Sequence, residues 1–331
     1  MTVLLLLASF VLIVGGALLF TNTVEWLGAR LGLGESAVGS LLAAVGTALP
    51  ESLIPVVALL AGAEGEDVAI GAIIGAPFML GTIAMLLVGI SALGFRKRRT
   101  TGVEVVVDLK TVRRDLGLFL VFFPLGVGLG LLPLEGSVRY IAAAVFVIAY
   151  GVFVWYTIRG GGETTEQHSL RPLRFDTTKE DPPSNFQIGA QTLVSFAMII
   201  FGAELFVEEV TVVAASLGLE PLVLSLVLAP LATELPEKAN SFLWIRQSKD
   251  DLAIGNITGA MAFQSTVPVA LGIGIIDPWE LDQYAVAAAV LGVAGGLLAL
   301  WRLHRRQFKL PYVLAWGILF SAYVVFVALV G

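Results

Sequence analysis

The sequence predicts an all-α integral membrane protein of about ten transmembrane helices, built as two inverted five-helix repeats. Three observations support this prediction. Hydrophobic residues make up 57% of the 331 residues and charged residues only 14%, whereas soluble domains carry roughly 25% charged residues. Basic residues are segregated among the loops, and one acidic proline motif occurs in each half of the chain.

Apolar runs of roughly 20 residues, the length that crosses the hydrocarbon core, recur along the chain. No basic residue precedes the first run, and it is long enough to span the membrane, so we interpret it as a retained helix and not a signal peptide. Cys is absent, which excludes disulfides and thiolate chemistry. The predicted spans are 3–22, 36–61, 68–93, 115–132, 138–158, 187–214, 221–245, 252–275, 283–301 and 311–330.

The longest polar stretch, 159–186, separates the first five spans from the last five. Its Gly-rich and Pro-rich composition is typical of a flexible linker. We therefore divide the chain into a first five-helix repeat at 1–158, a linker at 159–186 and a second, inverted repeat at 187–331.

The distribution of basic residues predicts the orientation. With the N-terminus outside, all of the 20 Lys and Arg residues fall in inside loops, except Arg139 and Lys238. This is the segregation that the positive-inside rule requires, so we expect a cytoplasmic linker and a bacterial inner-membrane location. The basic residues lie in short loops beside membrane spans, so the expected partners are inorganic cations and membrane lipid, not nucleic acid.

The internal repeat is specific in sequence. The motif Gly-Thr-Ala-Leu-Pro-Glu at 46–51 returns as Ala-Thr-Glu-Leu-Pro-Glu at 232–237, and the stretch 69–76 resembles 253–260. Because five is an odd number of spans, the second copy enters the membrane from the opposite side. Inverted repeats place substrate sites near the midplane at discontinuous helices.

The prolines of the motif, Pro50 and Pro236, predict where those helices break. Each proline removes a backbone donor and frees a carbonyl one turn earlier. A freed carbonyl is tolerated at membrane depth where it faces protein, water or a bound ion. We therefore expect two acidic helix breaks, around Glu51 and Glu237.

Glu51 and Glu237 are the candidate ion-binding carboxylates. A carboxylate in the middle of a span costs roughly 2.5–3.5 kcal/mol on insertion scales, so it needs a partner or a function. Thr47 and Thr233 lie one turn earlier on the same helix faces. Hydroxyl, carboxylate and carbonyl oxygens together suit hard cations such as Ca²⁺ and Na⁺, or a proton relay.

A second charged pair lies beside the second motif. Glu234 and Lys238 are four residues apart with the Glu first, the favoured order for a helical ion pair. One interpretation is an internal salt bridge that lowers the cost of both charges in lipid. The other is that the Lys ammonium takes the place of a monovalent cation, and both can hold.

Four further polar residues are expected to differ in role. Glu204, inside the sixth span, is either a partner for Lys238, a proton-relay carboxylate or a group that lines a cavity. Glu208 and Glu209 are expected to be solvated near the outer interface. Gln264 lies on a polar face of the eighth span and is expected to be a weaker ligand or a neighbour of the ligands.

These motifs resemble those of the sodium/calcium exchanger family of the calcium/cation antiporter superfamily. The resemblance implies a rigid core of eight helices across which the first and sixth helices slide. It also implies that the motif side chains coordinate Na⁺ and Ca²⁺: Thr47, Glu51, Thr233 and Glu237. The chain departs from the family pattern, which usually has Ser where this chain has Ala48 and Glu234, and which has no counterpart of Lys238.

We therefore expect a secondary active cation antiporter that exchanges Ca²⁺ against Na⁺ or H⁺ by alternating access. The expected metal-binding set is Glu51, Glu237, Thr47, Thr233, Glu234 and Gln264, modulated by Lys238 and Glu204. No cofactor is expected besides the transported cations. An enzyme is not expected, because no nucleophile or metal-binding His accompanies the carboxylates in the membrane. A monovalent cation/proton exchanger and a passive cation channel on the same scaffold are the alternatives.

Overall fold

The computed structural model describes residues 1–30, 43–132, 136–160, 172–176, 183–306 and 308–330. Helices occupy most of the described residues in each predicted span, and the prediction of the fold class is confirmed. The part of the second predicted span before residue 43 lies outside the described residues. The helices are α1 Thr2–Arg30, α2 Ala43–Leu60, α3 Ala63–Met79, a π-helical turn Leu80–Ala84, α4 Met85–Gly94, α5 Leu109–Leu129, α6 Ser137–Gly160, α7 Asn185–Leu217, α8 Pro221–Arg246, α9 Asp250–Gln264, α10 Val267–Ile275, α11 Gln283–His304 and α12 Leu310–Val330.

The apolar helices differ in how much of their surface the protein covers. In the described ranges, six stretches are long and apolar enough to cross a membrane, and α2 and α8 contribute shorter apolar stretches. The stretch formed by α3 and α4 is 78% buried and that formed by α9 and α10 is 72% buried, whereas the α6 stretch is only 11% buried. The third and eighth segments therefore form the centre of the protein, and α6 lies at its rim.

Glycines allow the central helices to approach closely. A Cβ added at Gly75 of α3 would lie 2.1 Å from the carbonyl oxygen of Leu226 in α8. Gly16 of α1 lies against the backbone of α7 near Ser195, and its repeat counterpart Gly202 of α7 lies against α1. Small residues permit this kind of close packing between membrane helices. The two repeats are thus joined through the pairs α1–α7 and α3–α8.

The predicted helix breaks at Pro50 and Pro236 are wrong. Both α2 and α8 continue through their prolines. The interruptions lie instead in the third segment, at the π-helical turn Leu80–Ala84, and in the eighth segment, between α9 and α10. A proline removes only one helical hydrogen bond, and neighbouring helices can compensate for that loss inside a membrane protein.

Five described residues of the predicted flexible linker are held against the helices. Leu173 is buried in a cluster with Trp26 of α1 and Ile188 of α7. The backbone N–H of Phe175 donates to Gln191 Oε1 at 3.0 Å. Residues 172–176 therefore pack on α1 and α7, contrary to the expectation of flexibility along the whole linker. The other linker residues, apart from 159–160 and 183–186, lie outside the described ranges.

Candidate cation-binding site

Three helices from both halves of the chain bring polar side chains together at the centre. Helix α2 contributes Glu51, α8 contributes Glu234 and Lys238, and α9 contributes its last residue, Gln264. The amide Nε2 of Gln264 donates to Glu51 Oε2 and also to Glu234 Oε1, the latter at 3.2 Å. Lys238 Nζ lies 2.5 Å from Glu234 Oε2. One amide therefore connects carboxylates of the two halves.

The cluster is almost completely shielded by protein. Relative exposure is 7% for Glu51, 1% for Glu234, 4% for Lys238 and 0% for Gln264. Charges buried to this extent are stable only when opposite charges and hydrogen bonds compensate them. Lys238 compensates Glu234, whereas Glu51 receives a neutral amide from Gln264, so these four side chains carry one net negative charge.

The end of α9 places Gln264 in the cluster. Pro268 lacks the N–H that would bond to the Gln264 carbonyl, so the helical ladder stops there. The hydroxyl of Thr266 shares its one proton between two of the last carbonyls of α9, Ala262 O and Phe263 O, each at 2.9 Å. A helix C-terminus carries a partial negative charge, which favours a cation nearby. The C-terminus of α9 therefore adds to the negative potential that the carboxylates present to a cation.

The donor set is suited to a hard cation held partly by neutral oxygens. Gln264 Oε1 is buried and has no hydrogen-bond partner among the described residues. In the described ranges, no group of three or more acidic, His or Cys side chains is arranged to hold a metal ion. Carboxylate and amide oxygens such as those of Glu51 and Gln264 are ligands that hard cations prefer.

Comparison with known proteins identifies the family. The profile of the sodium/calcium exchanger protein family matches residues 1–159 and 189–331. The chain belongs to this family. Inner membrane protein YrbG of Escherichia coli (strain K12) is 26% identical over 284 residues, which cover 85% of this chain and 82% of that protein.

Two solved exchanger structures share the fold. The H⁺/Ca²⁺ exchanger CAX matches with a TM-score of 0.75 at 20% identity, covering 98% of this chain and 81% of that one. The sodium-calcium exchanger NCX_Mj matches with a TM-score of 0.60 at 20% identity, covering 99% of this chain and 97% of that one. The predicted family and the predicted exchanger-like fold are both confirmed.

The exchanger fold brings together some of the predicted site residues. Glu51, Glu234, Lys238 and Gln264 are in contact, and Gln264, expected to be a weaker ligand, lies between the two carboxylates. The roles of these side chains as ion ligands remain predictions.

The remaining predicted ligands are Thr233, Thr47 and Glu237. Thr233 is buried one residue before Glu234, and its hydroxyl donates to Ala229 O at 3.3 Å. Thr47 lies in α2 and Glu237 in α8, but their side chains lie outside the described part of the structure. Their roles as ion ligands, and that of Thr233, remain predictions.

Two expectations for α7 need correction. Glu204 is exposed on α7, and no ion pair joins it to Lys238 among the described residues, where Lys238 pairs with Glu234. Glu209, expected to be solvated, is 7% exposed, and its Oε2 has no hydrogen-bond partner in the described ranges. A helix with apolar residues on all sides gives little indication of which face the protein covers, and α7 is such a helix.

One buried carboxylate, that of Asp115, was not among the predicted site residues. Asp115 of α5 is buried and accepts a hydrogen bond from Thr258 Oγ1 of α9 at 2.9 Å. Its other partner is the guanidinium of Arg114, at 2.8 Å. Asp115 is the first residue of the fourth predicted span and directly follows two arginines, Arg113 and Arg114. The polar face of α9, which includes Thr258, was the signal that could have identified it.

Proposed function

We propose that this protein is a secondary active cation antiporter that exchanges Ca²⁺ against Na⁺ or H⁺ by alternating access. The observation that supports it is the buried contact of Gln264 with Glu51 and Glu234, which joins both halves of the chain through cation-binding groups. Family membership agrees with cation exchange, as do the structural relatives CAX, an H⁺/Ca²⁺ exchanger, and NCX_Mj, a sodium-calcium exchanger.

In this proposal the transported cation replaces the Gln264 amide nitrogen between the carboxylates. The amide then turns, and its free Oε1 joins Glu51 as a ligand. The side chains of Thr47, Thr233 and Glu237 complete the oxygen set, and Glu234 stays paired with Lys238. Binding and release need no covalent step, so the protein acts as a transporter and not as an enzyme. Coupling arises because the two access states bind the exchanged ions differently.

The membrane arrangement follows from the basic residues. We infer an N-terminus outside and a cytoplasmic linker between two repeats, at 1–158 and 187–331, in the inner membrane of a bacterium. The relative YrbG is named an inner membrane protein, which agrees with that location. Apolar rim helices such as α6 would face membrane lipid.

A monovalent cation/proton exchanger is the second candidate, and the charge of the cluster favours it. Lys238 pairs with Glu234, so the formal charges of the four described side chains of the site sum to one negative charge. Ca²⁺ takes six to eight oxygen ligands. A single Na⁺ or H⁺ needs fewer oxygens and less charge.

Ion flux in proteoliposomes tests the proposal. Wild-type protein should take up radiolabelled Ca²⁺ only when Na⁺ or H⁺ is present on the opposite side, and a passive channel would not need the opposing ion. Glu51→Gln and Glu237→Gln should each reduce exchange about tenfold or more, the factor that corresponds to about 1.4 kcal/mol of binding free energy.

The matched control is Glu208→Gln, because Glu208 is an exposed carboxylate on α7. This variant should exchange at the wild-type rate. Full exchange by both Glu51→Gln and Glu237→Gln would show that the site has been assigned wrongly. Uptake of Na⁺ but not Ca²⁺ against a proton gradient would favour the monovalent exchanger.

A further inference from the structure

The ion pair between Lys238 and Glu234 lies inside the buried candidate site and not at the surface of the protein. Both groups lie in the cluster that links the two halves, and Nζ is 2.5 Å from Glu234 Oε2. We propose that the Lys238 ammonium is a tethered cation that fills a monovalent-cation subsite at Glu234. The consequence for transport stoichiometry rests on the proposed antiport function.

Both oxygens of Glu234 are already occupied. Lys238 contacts Oε2, and the amide of Gln264 donates to Oε1 at 3.2 Å. A mobile cation can therefore reach Glu234 only by displacing one of these groups. Lys238 is covalently fixed to α8, so it cannot leave with the transported ion.

The repeat shows which charges this pair adds to the site. The residues of the first half that correspond to Glu234 and Lys238 are Ala48 and Ser52, both uncharged. The second half therefore carries one additional acid and one additional base, four residues apart on the same face of α8. The additional acid creates a place for a cation, and the additional base fills it.

A compact ammonium is a good replacement for a small metal cation. It carries a point charge at the end of a flexible stem and has no acceptor group. With Lys238 in place, the demand for mobile positive charge is set by the remaining acids, Glu51 and the predicted ligand Glu237. Without Lys238, Glu234 would need one further monovalent ion, because an unpaired carboxylate is unfavourable at this depth.

The competing interpretation is a static ion pair that only lowers the cost of two buried charges. Lys238→Met separates the two interpretations, because it removes the ammonium and keeps the Glu234 carboxylate. We expect this variant to bind one more Na⁺ per molecule than the wild type at equilibrium. Its Tm should also rise with Na⁺ concentration more steeply than that of the wild type, because a bound ligand stabilises the folded state.

The experiment uses full-length protein in detergent micelles, with radiolabelled Na⁺ binding and thermal unfolding measured across Na⁺ concentrations. The matched control is the double variant Glu234→Gln with Lys238→Met, which removes both charges and should bind no additional Na⁺. If Lys238→Met binds no additional Na⁺, and its Tm responds to Na⁺ as that of the wild type does, the tethered-cation proposal is wrong.

A folding defect does not leave the proposal untested. If Lys238→Met folds only when Na⁺ is present, Na⁺ has replaced the ammonium, as the proposal requires. If neither Lys238→Met nor Lys238→Gln folds at any Na⁺ concentration, a mobile cation cannot take that place and the proposal fails.

Transport measurements separate this proposal from the proposed function. If the wild type exchanges Ca²⁺ and Lys238→Met gains no Na⁺ site, only the tethered-cation proposal fails. If the wild type exchanges no cation in proteoliposomes, the antiport proposal fails, whereas a Na⁺ site gained by Lys238→Met would still identify the subsite. When both hold, Lys238→Met should move one more monovalent ion per Ca²⁺, seen as a shifted reversal potential.

Discussion

The third and eighth membrane segments share a repeated sequence, yet they contribute differently to the centre of the protein. In the third segment, the position that corresponds to Gln264 is Leu80, which is buried at the start of the π-helical turn. The hydroxyl of Thr82 in that turn donates to Phe78 O of the same segment, at 2.7 Å. In the eighth segment, α9 ends at Gln264, which contacts carboxylates of two other helices.

The difference shows how a duplicated scaffold can separate packing from ligand binding. The third segment is packed so tightly against α8 that Gly75 leaves no space for a Cβ beside Leu226. The eighth segment has a break, and the break exposes a helix end and an amide to the cluster. Inverted repeats need to match in backbone shape, but only one copy has to supply a given polar group.

The largest expected effect concerns the first turn of each segment. Asp250 opens the eighth segment and is paired with Arg99, whose guanidinium contacts both of its carboxylate oxygens at 2.8 and 2.9 Å. The side chain of Arg99 is 0% exposed and that of Asp250 is 3% exposed. Asp250→Asn should lower the free energy of unfolding by about 3–5 kcal/mol, because it leaves a buried guanidinium without its counter-charge. Thermal unfolding in detergent measures this loss.

The corresponding residue of the third segment, Glu66, is the matched control. It is only partly buried, and no salt bridge joins it to any described residue. Glu66→Gln should change the free energy of unfolding by no more than about 0.5 kcal/mol. Equal losses at both positions would contradict the idea that the two segments carry different interactions.

The second-largest effect is expected at Gln264, the position at which the third and eighth segments differ. Gln264→Leu gives the eighth segment the side chain of the third and removes the donor that joins Glu51 to Glu234. We expect cation affinity and exchange to fall about 10-fold to 100-fold, as they do when groups that orient metal ligands are removed. Equilibrium Ca²⁺ binding and flux in proteoliposomes measure the loss.

The reciprocal change, Leu80→Gln, should behave differently. It buries an amide in an apolar part of the third segment, which costs about 1–3 kcal/mol of stability when the amide finds no partner. Its effect on cation affinity should be much smaller than that of Gln264→Leu. If Leu80→Gln reduced affinity as strongly, both segments would contribute to the site and the comparison would be wrong.

The sequence was sufficient for the positions of the helices but not for their interruptions. Runs of apolar residues mark membrane spans because the hydrocarbon core has a fixed thickness, and this constraint is local. Whether Pro50 interrupts α2 depends on neighbouring helices that can compensate for the missing bond. In the eighth segment the backbone leaves the helical region at Thr266, two residues before Pro268, with φ of −121° and ψ of −71°.

The part of the site that could be predicted from the sequence is the part that depends on the local spacing of charged residues. The i, i+4 spacing of Glu234 and Lys238 predicted their ion pair, and the pair is present. The contact between Glu51 and Gln264 joins residues 213 positions apart, so no spacing rule could predict it. Glu204 was placed near the site by its depth, but depth does not determine which face of α7 contacts the protein.

The smallest expected effect concerns a helix N-cap that is present in both halves of the chain. The fourth helix of each repeat begins with an Asp cap: Asp108 accepts from the backbone N–H of Lys110 and Thr111 at the start of α5, and Asp282 accepts from that of Ala285 at the start of α11. Asp108→Ala should cost about 1 kcal/mol of stability, the usual value for losing an N-cap. Asp108→Asn, which keeps an acceptor oxygen, should cost less.

The cap at Asp108 should also depend on pH, which distinguishes it from a packing effect. The Thr111 hydroxyl, followed by the backbone N–H of Lys110, holds the pKa of Asp108 below its usual value. A carboxylate whose pKa is lowered by folding adds stability above its unfolded pKa of about 3.9, and that stability is lost as pH falls through the folded value. The difference in Tm between wild type and Asp108→Ala should therefore be constant near neutral pH and shrink below about pH 3.9. A difference that stayed the same at pH 3 would mean that the carboxylate charge has no part in the cap.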